Sequence, residues 1–209
     1  MSTFGDLVSL RERNKEDKHQ RIREAAWALF LDQGFRRTTT REVCERAGIG
    51  AGTLFSYVDD KGDLLVLLWA ERFAAIMEAR FAALPDGGLA ERLVWVFDGF
   101  LAFYDEHREL GKEILPELMV LSGRKAERML HLQWQFTMRG AALIEAARAG
   151  GEVQRDAPAE VAFQTVFGAY VVVLAALLNG FVPDREAALE LLRAQVDVVI
   201  SGIGPKEER

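Results

Sequence analysis

Gly34-Phe-Arg-Arg-Thr-Thr-Thr-Arg-Glu-Val-Cys-Glu-Arg-Ala-Gly-Ile-Gly-Ala-Gly-Thr-Leu-Phe-Ser-Tyr-Val-Asp-Asp-Lys-Gly-Asp-Leu64 is the stretch that decides the fold of this chain. It reads as two short helices, near 39–47 and 51–57, joined by a tight glycine turn. Thr39 and Glu42 stand at capping-box spacing, where the hydroxyl takes an orphan N–H and the carboxylate reaches back. Val43 and Ala47 then share one face. Gly48 is suited to the left-handed conformation that ends a helix, and Ile49 can fill the angle before Gly50 opens the next one. Leu54 and Val58 give that second helix a narrow buried stripe. Asp59 or Asp60 caps a following helix marked by Leu64, Leu65, Leu67 and Leu68. Two helices in this arrangement can place one of them in the major groove of DNA.

Upstream, Ile22, Ala25, Ala26, Leu29 and Phe30 form the apolar stripe of a first helix, near 15–33, which Gly34 stops. Downstream the same periodicity predicts helices near 60–83, 88–106, 109–121, 124–149, 158–179 and 184–202. Leu84-Pro-Asp-Gly-Gly88 and Ala149-Gly-Gly151 act as breakers, and Pro158 stands near a first turn. No sustained strand alternation occurs, so the expected fold class is all-α with about nine helices. The 209 residues, half of them apolar, suffice for a small domain and a larger one. Residues 1–14 read as a flexible tail, with Arg11, Arg13 and Lys15 as an alternative DNA-touching arm. The single cysteine, Cys44, excludes an intrachain disulfide and fits a reducing cytoplasm. Net charge is −6, yet Ser9–Arg41 holds nine Lys/Arg against five Asp/Glu. An acidic body with a basic end can orient a protein on DNA.

From Lys18 to Phe73 the chain resembles the TetR family of bacterial transcriptional regulators. The likeness is carried by Ala25, Ala26, Phe30, Gly34-Phe35, Thr39, Val43, Ala47-Gly-Ile49, Gly52-Thr-Leu-Phe55, Tyr57-Val58, Lys61 and Leu64. Phe55 stands where the family usually has tyrosine, keeping a packing ring without a hydroxyl. Gly62 stands where it often has glutamate, and should loosen the start of the fourth helix. The resemblance implies a three-helix DNA-binding domain at 15–62, with reader helices at about 39–58, and a regulatory and dimerisation domain at 63–209. It also implies a homodimer formed through the last two long helices, 158–179 and 184–202.

Within that frame Thr39 and Thr40 cap a helix or hold a phosphate at its N-terminus; both roles are compatible. Arg41 can fork onto guanine O6 and N7 or pair with Glu45 one turn on. Gly50, Ala51 and Gly52 let the backbone approach the groove closely. Direct readout then falls to Arg41, Thr53, Ser56 and either Arg36 or Arg37. Tyr57 and Lys61 resemble the family's phosphate clamp, with a packing ring as the alternative for Tyr57.

The body carries a surplus of large side chains: Trp95, Phe100, Phe103, Tyr104, Met119, Trp134, Met138, Phe163, Phe167 and Tyr170. Together they can line a cavity for a small hydrophobic or aromatic ligand, or simply fill a core. Asp98, the one charge in an apolar run, either anchors a ligand or satisfies a neighbour; Gln164 and Asn179 are open to the same two roles. Val166–Val182 approaches transmembrane length, but it lacks flanking basic clusters and runs into Pro183-Asp184, so a helix buried against a partner subunit is expected instead of a membrane span. His19, His107 and His131 have no partners at metal-ligand spacing, and neither a phosphate loop nor a nucleophile elbow occurs. The expectation is a non-enzymatic regulator needing no cofactor: a cytoplasmic homodimeric repressor on a near-palindromic operator, released by a hydrophobic ligand. The alternative is a DNA-binding dimer with a filled core, controlled by abundance or by a protein partner.

Overall fold

The computed structural model describes residues 4–153 and 157–203, and the side chains of residues 12–153 and 157–202. Among the described residues the order is α1 (Phe4–Gln33), α2 (Thr40–Ala47), α3 (Ala51–Phe55), α4 (Lys61–Ala82), α5 (Leu89–Glu106), α6 (Arg108–Met119), α7 (Gly123–Ala149), α8 (Ala159–Leu178) and α9 (Arg185–Ile203). Every helix end but one lies within two residues of its expected place. The exception is the start of α1, which begins at Phe4 where a tail is expected. After Gly5 no glycine or proline interrupts this segment, so nothing local stops the helix; its polarity is that of a solvated helix. The arm reading places Arg13 and Lys15 on this exposed helical surface, while the Arg11 side chain lies outside the described residues.

The chain divides into two compact units, Met1–Trp69 with Glu113–Ala126, and Ala70–Lys112 with Glu127–Arg209. The first division falls seven residues beyond the expected boundary at 62, and the first unit also takes the end of α6 and the start of α7. In that unit Ile22, Ala25, Ala26, Leu29 and Phe30 of α1 are all buried, as are Val43, Ala47, Leu54, Val58, Leu64, Leu65 and Leu68. Removing each of the larger aliphatic side chains from water stabilises the unit by about 1.5–3 kcal/mol. Thr38 is buried too: its hydroxyl donates to Gly34 O at 2.9 Å and lies 3.3 Å from Leu29 O. Together with its own N–H, which also reaches Gly34 O, it pins the α1–α2 connection to the end of α1.

In the second unit α5 packs on α8 and α9, and α8 on α9. The buried face of α8 carries Ala162, Phe163, Val166, Tyr170, Val173, Leu174 and Leu177, at helical spacing. This helix is long and apolar enough to cross a membrane (mean hydropathy 2.2), and 44% of its apolar window is buried within the unit. Asn179 ends it, its amide donating to Ala175 O at 2.8 Å.

Candidate functional site

The reading motif is built from caps outward. Thr39, in extended conformation, accepts from the Glu42 N–H at 3.2 Å, and its own N–H donates to Glu42 Oε2 at 2.7 Å, completing the capping box. The Thr39 N–H first, then the Thr39 hydroxyl, which donates to the same oxygen at 2.8 Å, hold the Glu42 carboxyl below the usual carboxylate range. Gly48 ends α2 at φ 63°, the left-handed region, where its N–H reaches the Cys44 and Glu45 carbonyls. Arg21 of α1 adds a donor to the end of α2, Nη1 to Ala47 O at 3.0 Å.

The start of α3 is open. Gly50, Ala51 and Gly52 are exposed, neither glycine has a positive φ, and a Cβ on either would meet nothing within 4 Å. The fold itself therefore has no need of glycine at 50 or 52. Thr53 is half-buried, and exposed Ser56 donates its hydroxyl to Thr53 O at 2.7 Å. Arg41 is exposed and donates Nε to Glu45 Oε1 at 2.8 Å, a bond that raises its pKa. Such an exposed pair is worth little in water, so Arg41 can leave Glu45 readily. Arg36 donates to Glu113 Oε1 at 2.7 Å, and Arg37 to Gln33 O at 2.8 Å. Thr40 is the first residue of α2.

Three placements differ from expectation. The Lys61 ammonium, expected on phosphate, donates to the carbonyls of Phe35 (2.8 Å), Arg36 (3.2 Å) and Thr38 (2.9 Å) and lies over the Phe35 ring. An ammonium has three protons, and each has a carbonyl here. Lys61 fastens the α1–α2 connection to α4. Phe55, expected as a packing ring, is 47% exposed. Gly62 is no loose point: Asp60 accepts the Asp63 N–H at 2.6 Å and Asp63 accepts the Asp59 N–H at 2.9 Å, capping α4. A Cβ at Gly62 would crowd the Glu117 carboxylate and Lys125 Nζ, so glycine makes room for that pair. Tyr57 is half-buried against His19, its hydroxyl 3.4 Å from Lys15 O, and burial first of all raises its pKa.

Four residues that sequence reasoning did not single out hold the reader from the α6–α7 side. Glu113 takes Arg36; Lys125 binds Glu117 at 2.6 Å and Asp60 at 3.5 Å; Arg124 meets Asp59 at 3.2 Å and the Ser56 carbonyl at 3.1 Å. Their links to the reader run across 68 residues for Ser56–Arg124 and 77 for Arg36–Glu113, which leaves no local spacing signal that could have revealed them.

In the second unit, Phe100, Tyr104, Phe163 and Tyr170 are buried and Phe167 half-buried. They are joined by Phe73, Phe97 and Phe136, which the sequence reading did not select. Phe136 lies edge-on to Phe100 (5.4 Å between centroids), Phe163 (5.1 Å) and Phe97 (5.7 Å), and Phe73 stacks on Phe100 at 4.3 Å. Its place was signalled by Leu132 and Gly140, four residues to either side on the buried face of α7. Trp134, 60% exposed, and Met138 lie off that face, and Met119 of α6 is exposed in the first unit; none of the three lines the aromatic interior. Trp134 precedes Phe136 by about 200° of helical turn, so only one of them can point inward. Trp95 donates Nε1–H to Arg80 O at 3.2 Å under the Arg80 guanidinium, and Phe103 packs on Tyr104 and His107. Asp98 satisfies neighbours: it accepts from Arg80 at 3.2 Å and Arg185 Nε at 2.7 Å. Gln164 and Asn179 are exposed. The Tyr170 hydroxyl, by contrast, is buried with no hydrogen-bond partner among the described residues, which costs about 1–3 kcal/mol.

Comparison with known proteins agrees with this arrangement. The chain is 26% identical over 66 residues to the fatty acid metabolism regulator protein of Bacillus subtilis, covering 32% of this chain and 34% of that one. It is 29% identical over 106 residues to the HTH-type transcriptional regulator AcrR of Shigella flexneri, covering 48% of each. The matched region thus spans between a third and a half of these two relatives. The crystal structure of Thermus thermophilus FadR, a TetR-family transcriptional repressor in complex with lauroyl-CoA, superposes with a TM-score of 0.73 at 22% identity, over 90% of this chain and 96% of that one. At that identity the likeness establishes the shared fold. Residues 22–68, which hold α2, α3 and their caps, match the family model described as bacterial regulatory proteins, tetR family, and it is this domain that the chain shares with that family.

Proposed function

We propose that this chain is a homodimeric transcriptional repressor that reads a near-palindromic operator with α2 and α3 and is released by a small ligand with a long apolar chain, an acyl thioester being the leading class. The observation that carries the DNA half is the bare, exposed start of α3, where glycine serves no purpose of the fold. A surface without side chains lets the backbone come against the groove while Arg41, Thr53 and Ser56 stand beside it. Paired heads would meet successive major grooves about 34–36 Å apart. The ligand half is supported by the aromatic interior, the unsatisfied Tyr170 hydroxyl, and the fatty-acid regulators among the similar proteins. Ligand acts by preferring the conformation whose head spacing is wrong for the operator; equal affinity for both conformations would shift nothing. A regulator of this kind works in the cytoplasm, with the exposed side of α8 turned toward its twin and not toward lipid.

The test is binding to DNA upstream of its own gene across a salt series, for wild type, Arg41→Ala and Gly52→Ala. Wild type binds tightly with a steep salt dependence. Arg41→Ala loses about tenfold in affinity for the operator and little for random duplex. Gly52→Ala is as stable as wild type or more so, since alanine favours a helix by about 1 kcal/mol, and yet it loses the operator. Unchanged operator binding by Gly52→Ala would remove the close-approach reading of α3.

The reading of a filled body under other control is favoured by one observation, the neutralisation of Asp98 by Arg80 and Arg185, which leaves that carboxylate no free role toward a ligand.

A further inference from the structure

Tyr170 lies within the aromatic interior. It is 3% exposed, and its ring stacks on Phe97 at 4.9 Å, with Phe167 at 6.0 Å and Phe100 at 6.3 Å. Its hydroxyl finds no partner among the described residues. Native interiors rarely leave a buried polar atom unsatisfied, and phenylalanine would fill the same space among these rings without that cost. A tyrosine here needs a partner that the described residues do not provide.

We infer that the Tyr170 hydroxyl donates a hydrogen bond to the neutral carbonyl of an acyl ligand, whose hydrocarbon chain lies against Phe97, Phe100 and Phe167. This rests on the reading of the body as a site for an acyl ligand and specifies which atom of that ligand is recognised. The group recognised is an ester-type carbonyl and not a carboxylate. Burial and then the Tyr104 phenol act on the Tyr170 hydroxyl, with no cation beside it among the described residues, so a carboxylate there would be a buried charge without a counter-charge, whereas a carbonyl oxygen asks for a single donor. Burial lifts the Tyr170 phenol well above its ordinary range, so it keeps its proton and stays a donor. Asp98, the nearby acid in sequence, is held by two arginines and does not compete.

The experiment uses the full chain with three probes: lauroyl-CoA, its thioether analogue S-dodecyl-CoA, which has the same chain and headgroup but no carbonyl, and free laurate. Binding is measured by calorimetry, and release from operator DNA by fluorescence anisotropy, for wild type and Tyr170→Phe. Wild type is expected to prefer the thioester over the thioether by about tenfold, the size of one satisfied buried hydrogen bond, and to bind laurate more weakly than either. Tyr170→Phe should bind the two CoA probes equally, at the wild-type thioether level, and melt without ligand at or above the wild-type temperature. The thioether comparison involves no mutation, so it stands even if the variant folds poorly. Equal affinity of wild type for thioester and thioether, or a preference that survives in Tyr170→Phe, overturns the inference while leaving the acyl reading intact. Laurate binding as tightly as lauroyl-CoA overturns the neutral-carbonyl assignment. Absence of binding and of release with all three probes overturns the inference together with the acyl reading beneath it.

Discussion

At Lys61 one ammonium closes three carbonyls of the α1–α2 connection, Phe35, Arg36 and Thr38, none of which α1 or α2 uses in its ladder. Replacing it with methionine keeps most of the stem over Phe35 and removes the donors, leaving part-buried carbonyls short of a partner. A hydrogen bond to a charged group contributes about 1.5–3 kcal/mol net, and less where water can replace it as at the exposed Arg36 carbonyl, so Lys61→Met should lower stability by about 1–3 kcal/mol in urea unfolding. The slope of operator affinity against salt should stay at its wild-type value. A residue that neutralised a phosphate would instead take about one unit off that slope and leave the unfolding midpoint alone. Lys61 was legible in the sequence as a residue with a task, and its task was not, because a lysine at a helix start looks the same whether its ammonium turns outward or back onto a loop. Arg41 shows the opposite: pairing with Glu45 at i, i+4 is a local rule, and the pair is there.

Among the elements, α2 is held at both ends by short-range chemistry, and this is why it could be read in advance. Thr39→Ala removes the hydroxyl that accepts from Glu42 N–H, and should cost about 1 kcal/mol, seen as a lower unfolding midpoint and faster amide exchange in the first turn of α2. The same box predicts a pH dependence. The folded Glu42 carboxyl titrates below its unfolded range, so the stability it brings is fully present above about pH 4.3, the unfolded value, and fades as pH falls through the folded value. Denaturation from pH 7 to 3 should show this contribution in wild type and its reduction in Thr39→Ala, whose carboxylate loses the bond from the Thr39 hydroxyl and keeps those from the backbone N–H and Gln33. The start of α1 was missed for a related reason: no cap or breaker marks it, and a polar segment without an apolar stripe reads equally as tail or as solvated helix. On α7 the apolar pattern is broader than the buried face, so it does not separate Trp134 and Met138 from Phe136, which lies on the opposite side of the helix and carries the contacts.

At the scale of the whole molecule, the apolar residues left uncovered by the second unit bear on assembly. On α8, Val161, Thr165, Gly168 and Val172 form one exposed stripe of apolar and small residues, with the polar Gln164 beside it; on α9, Leu191, Ala194 and Val198 form another. Val172 and Val198 are 63% and 72% exposed, unusual for valine on the longest apolar helix and its packed neighbour. A second copy of the chain is the occupant that the two-headed reading of DNA demands, since a single head gains no bivalent advantage. Val172→Asp and Val198→Asp each place a charge where the fold has open space, so the helical content and melting of the isolated chain should change little. In the proposed dimer, an aspartate at either place would be buried against the partner surface without a counter-charge, which opposes association. Sedimentation should therefore show a dimer for wild type and a monomer for Val172→Asp at the same concentration. Operator affinity should fall by about 100-fold or more with loss of the second head, while affinity for random duplex falls far less. A dimer that persists in both variants would place the subunit contact on another surface and leave the stripes of α8 and α9 without this role.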